Sequence, residues 1–65
     1  MDAEPERAGI LIVRAWVDEG EHDVRARVIY SLDASSDEQV TRSAAGVGSI
    51  EAIVREWLNL LVDSD

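Results

Sequence analysis

Residues 11–30 read LIVRAWVDEGEHDVRARVIY, and their alternation decides the fold. Leu11, Val13, Ala15 and Val17 are apolar at a spacing of two, with Ile10, Ile12, Arg14 and Trp16 as their alternates. A period of two places successive side chains on opposite faces of a strand. The stretch DEGEHD, residues 18–23, is polar, contains Gly20 and reads as a turn. Beyond it the alternation resumes. Val24, Ala26, Val28, Tyr30 and Leu32 take one face, and Arg25, Arg27, Ile29 and Ser31 the other. Two alternating runs across a polar turn predict an antiparallel hairpin.

Working outward, DASSDE at 33–38 is a second turn, and EQVTRSAAG at 38–46 predicts a third, weaker strand. In its favoured phase Val40 and Ala44 face the core and bring Arg42 with them, snorkelling at the edge. The other phase turns Thr41 and Ser43 inward. Gly46–Ser49 forms a tight turn, after which the period becomes helical. Ile50, Ile53, Val54, Trp57, Leu58 and Leu61 form one apolar stripe, so a helix is expected from Ile50 to about Val62. Ser49 is its expected N-cap, with Glu51 in the first turn and Arg55 one turn further on.

The fold class predicted is α+β: a three-stranded antiparallel meander with one C-terminal amphipathic helix on one face, with Trp57 at the centre of the core. Residues 1–8 are an acidic lead-in, 9–62 the single β-β-β-α domain and 63–65 an acidic tail.

Composition narrows the function. A chain of 65 residues supplies a small core and usually needs reinforcement. It has no cysteine and one histidine, His22, so disulfides and a zinc site are not expected. Self-association is then the expected reinforcement. No apolar run is long enough for a membrane span and no basic-then-apolar leader is seen, so a cytoplasmic location is expected. The net charge is −8, with 14 acidic residues against 6 cations, all of them arginine. The absence of lysine fits either a GC-rich codon bias or recognition of planar anionic groups.

The helix covers one side of the sheet, so the other side should carry Ile10, Ile12, Arg14, Trp16, Arg25, Arg27 and Ile29. These seven residues are the candidate interface. Apolar and arginine residues together on an open face are unusual for a lone monomer, and Trp and Arg are enriched at interface hot spots. The meander puts its two turns at opposite ends. Asp2, Glu4, Glu6, Asp33, Asp37, Glu38, Asp63 and Asp65 are expected at one pole, and Asp18, Glu19, Glu21 and Asp23 at the other. Acidic ends flanking an arginine-bearing face are self-complementary, so a two-fold dimer is expected, through the face or through an edge strand. In the bland alternative the arginines lie over the isoleucines of an ordinary solvated face.

Other motifs carry less. GVGS at 46–49 resembles a phosphate loop, but the third glycine of that fingerprint falls on Glu51. DEGEHD fails the calcium-loop pattern, its twelfth position being Ile29. No nucleophile has an evident base, so no enzymatic activity and no cofactor are expected.

Two resemblances follow from these residues. ILIVRAWVDEG, VRARVIYSLD and SIEAIVREWLNLL, which span nearly the whole chain, resemble short uncharacterised actinobacterial β-β-β-α proteins and imply no function. Three strands running through AAGVGSIEA into a helix also resemble the fold of HicB-like antitoxin domains. The proline–glycine loop of that family is missing here, so the likeness implies a fold alone. The expected function is a small non-enzymatic protein–protein interaction module whose main partner is a second copy. Another protein, engaged through the acidic pole in the manner of an antitoxin, and nucleic acid, bound on the Arg/Trp face, rank below it.

Overall fold

The computed structural model describes residues 8–63. Three strands, β1 (Ile10–Trp16), β2 (Arg25–Ser31) and β3 (Val40–Ala45), are followed by one helix, α1 (Val47–Asp63). The strands form an antiparallel meander in the order β1-β2-β3. The fold is α+β, as the alternation predicts.

The register explains the faces. Val13 pairs with Val28 and Val28 with Arg42; Ala15 pairs with Ala26 and Ala26 with Ala44. Leu11, Tyr30 and Val40 complete this inner face. The third strand therefore takes the favoured phase, with Arg42 inward. It is half-buried and its Nη1 donates to Glu56 Oε1 of α1 at 3.2 Å. Glu56 first, and then Tyr30, hold the guanidinium pKa above its ordinary value. Both partners are largely exposed, so solvent screens the pair and its contribution to stability is small. Its importance is positional, because it draws α1 toward β3.

The core is small. Val28 is completely buried, Tyr30, Ile53 and Ala26 nearly so, and Leu11, Ala44 and Trp57 pack partly against the cluster. Trp57 is therefore not central, contrary to the sequence expectation. Its indole sits at the end of the sheet, where Nε1 donates to the Ser31 carbonyl at 3.2 Å. A half-buried indole needs such an acceptor for its N–H, and the end of β2 supplies one. Gly9 makes this fit possible. A Cβ there would lie 2.8 Å from the Ser31 carbonyl oxygen and 3.1 Å from the indole.

The helix also starts earlier than expected. Val47, Gly48 and Ser49 are helical, and Ile50 N–H closes the first turn on the Gly46 carbonyl at 3.1 Å. Gly46, with φ of 91°, takes the cap position assigned to Ser49. Its N–H donates to the Val24 carbonyl at 2.7 Å, which fixes the start of α1 beside β2. Glu51 accordingly lies beyond the first turn, where no acidic residue is found. At the far end the helix reaches Asp63, one residue past the expected stop.

The turns follow their composition. Glu21 N–H donates to the Asp18 carbonyl at 3.0 Å, with Gly20 at a φ of 87° between them. Asp33 organises the second turn. Its Oδ1 accepts from the Ser35 N–H at 3.0 Å and the Ser35 hydroxyl at 2.7 Å. Both bonds favour the carboxylate and lower its pKa below the ordinary aspartate value.

Candidate interaction surface

The open face of the sheet is built by β1 and β2. Their register sets Ile12 opposite Ile29, Arg14 opposite Arg27 and Trp16 opposite Arg25, with Ile10 opposite Ser31. All seven residues anticipated from the alternation thus lie together on the face away from α1. Ile12 is 56% exposed and Trp16 37%; the three arginines are exposed and Ile29 is half-buried. On β3 the face continues through Thr41, Ser43 and Ala45, all exposed.

The face has two halves. Toward the second turn lie Ile10, Ile12 and Ile29, which with Ala34, Ser36 and Gln39 line a hollow of about 140 Å³. Its floor is apolar because the even positions of β1 are isoleucine at this end. Its wall is the 33–39 loop, fastened to the start of β1 by the Ala34 N–H to Ala8 carbonyl bond at 2.7 Å. Toward the first turn lie Trp16 and the three arginines. The Arg14 guanidinium sits 5.6 Å from the Trp16 ring centroid, within cation–π range. Arg25 pairs with Asp18 at 3.6 Å. Arg27 has no ion pair among the described residues. It faces Arg14 directly across the ladder, where like charges are unfavourable.

The acids divide as the meander requires. Asp33, Asp37 and Glu38 stand on the loop at the isoleucine end, while Asp18, Glu19, Glu21 and Asp23 occupy the first turn, all exposed. Asp2, Glu4, Glu6 and Asp65, also assigned to the first pole, lie outside the described residues. Among the described residues no helix is long and apolar enough to cross a membrane.

A second surface was not anticipated. Val13, Ala15 and Val17, expected under the helix, are exposed, Val13 by 40%, and so is Leu58 of the helical stripe, by 47%. The cause is the lateral position of α1, which packs on β2 and β3. Glu56 faces β3 through Arg42, so the flank of α1 turned away from β3, at 100° per residue, carries Val47, Val54 and Leu58. This flank and the inner face of β1 thus both carry exposed apolar side chains, Leu58 on one and Val13 and Val17 on the other. The signal for it lay in Arg42 and Glu56, an inward cation with a carboxylate on one side of the helical stripe.

No family model, no curated protein and no solved structure matches the chain.

Proposed function

We propose that the protein is a small interaction module that pairs with a second copy of itself through the open face of its sheet. The observation that carries this reading is the cross-strand set Ile10, Ile12, Trp16, Ile29, Arg14 and Arg27, apolar at one end and cationic at the other. In a chain of net charge −8 the arginine end is a local inversion of sign. It keeps two guanidinium groups opposed across the ladder without a carboxylate between them, which costs the lone subunit stability. An anionic surface on the face offsets that cost.

The two-fold axis follows from the charges. An axis parallel to the strands would lay Arg27 against Arg27 of the other copy. An axis across the strands stacks the faces antiparallel, so each arginine end meets the other copy's isoleucine end, with Arg27 over Ile29 and Arg25 over Ser31 beside the Asp33 turn. Trp16, at the opposite end of β1 from Ile10, then comes over the isoleucine hollow of the other copy. Face-to-face sheets pack about 10 Å apart, within reach of both Trp and Arg.

Light scattering on a size-exclusion column over a dilution series tests the reading. The wild type is expected at a multiple of the 7.2 kDa chain, with Trp16→Glu lowering that multiple while the strand and helix content stays intact. A wild type that is a single chain at all concentrations would overturn self-pairing, and retention of an added oligonucleotide on the column would move the arginine face to nucleic acid.

A further inference from the structure

We propose a second self-association surface, separate from the open face: the free edge of β1 pairs antiparallel with β1 of another copy and joins two sheets into one of six strands. The two edges of the sheet differ in kind. β3 carries an inward cation, Arg42, among its inner-face residues, a device that discourages edge pairing. β1 has no proline, no lysine and no inward charge over its seven residues, and six of the seven are exposed. Nothing in the described structure covers its outer edge, since β2 is its only neighbour in the sheet.

The sequence of β1 is self-complementary in one register. Pairing about a two-fold axis at Val13 sets Ile10 against Trp16, Leu11 against Ala15, Ile12 against Arg14 and Val13 against itself. The inner face then joins large to small and Val to Val, and the outer face never opposes two arginines. Shifting by two residues in one direction sets Arg14 against Arg14. Shifting in the other leaves Trp16 opposite Ala8, outside the strand. The register about Val13 alone uses the whole strand and avoids the charge clash.

The exposed apolar residues Val13, Val17 and Leu58 supply the second observation. The axis at Val13 keeps both helices on one side of the joined sheet, with their Leu58 flanks turned toward each other. Val13, Val17 and Leu58 of the two copies then line one shared furrow above the central strands. The occupant that fits is a second copy, because the exposed apolar residues flank the same free edge and one two-fold operation covers both. The outermost strands of the product are both β3, each guarded by Arg42, so growth stops at two sheets.

The test uses Val13→Lys, which places a cation inward at the axis, and Leu58→Lys, at a helix position already exposed in one subunit. Hydrogen exchange supplies a readout of the edge itself. In a lone subunit only the β1 amides turned toward β2 are protected; edge pairing protects the alternate ones as well. The expected result is protection along the whole of β1 that is lost in both variants at unchanged helix content, with the mass halved. If the open face also acts, the wild type is four chains, Arg27→Glu leaves two chains with β1 protected, and Leu58→Lys leaves two chains with it unprotected. Alternate β1 amides that exchange freely in the wild type at high concentration would overturn the edge proposal. So would a wild-type oligomer that Arg27→Glu takes to single chains while Val13→Lys and Leu58→Lys leave it intact.

Discussion

Gly9→Ala and Gly48→Ala are the same chemical change with opposite expected signs. At Gly9 the added methyl would lie 2.8 Å from the Ser31 carbonyl oxygen, 3.1 Å from Trp57 Cζ2 and 3.3 Å from Leu61 Cδ1. The nearest of these is backbone held in the β1–β2 ladder, so the start of β1 must move away from the end of β2. Overpacking of this kind costs about 1–3 kcal/mol. The movement also pulls at the Trp57 Nε1 bond to the same carbonyl, worth about a further 1 kcal/mol if lost. Gly48 lies in the first turn of α1 with no atom within 4 Å of an added Cβ and without a positive φ. Alanine there removes the glycine penalty of the helix, a gain of up to about 1 kcal/mol. Urea unfolding at one fixed chain concentration measures both, because association adds to stability. The expected order of midpoints is Gly48→Ala above wild type and Gly9→Ala well below it. A Gly9→Ala midpoint at or above that of the wild type would refute the close packing of Trp57 against the β1–β2 ladder.

Two further outcomes follow from the core and the second turn. Ile53→Ala removes the one buried side chain that α1 contributes to the Val28 and Tyr30 cluster, and should cost about 2–5 kcal/mol in urea unfolding. Loss of under about 1 kcal/mol, well below the usual cost of such a truncation, would mean that the helix is held elsewhere. The Asp33 carboxylate, with its pKa lowered by Ser35, favours the folded turn at pH values above the ordinary aspartate pKa, and this contribution fades as pH falls through the lowered value. The Ser35 amide resonance should therefore titrate below the ordinary aspartate range in the wild type, and Ser35→Ala should return the Asp33 pKa upward.

The strands and their faces were legible because a period of two assigns every side chain to a face. From LIVRAWV and VRARVIYS alone, the seven open-face residues could be placed together before the register was known. The start of the helix was harder to read. Val47 and Gly48 are weak helix formers and Ser49 has the chemistry of a cap, yet the left-handed Gly46 and its bond to Val24 start α1 sooner. That bond links positions distant in the chain and has no local signature. The lateral position of α1 was hidden for a related reason. A helical stripe tells which side chains face the sheet, not which strands lie beneath them. Arg42 and Glu56 settle that across 14 residues of sequence, and Val13, Val17 and Leu58 are left open as a consequence.

The central claim is that the open face associates through its arginine end, and Arg27→Glu tests it most directly. The substitution replaces two opposed arginines with a cation at position 14 facing an anion at position 27, so it should maintain or raise the stability of one subunit. It also sets a carboxylate against Ile29 at the apolar end of the other copy's face, where no cation meets it. Absolute mass by light scattering across a dilution series, beside wild type and at low and moderate salt, reads the effect. The account predicts a wild-type oligomer that weakens with salt, and an Arg27→Glu protein that stays folded with a lower mass at every concentration. An Arg27→Glu protein with the wild-type mass and the wild-type salt response would contradict it.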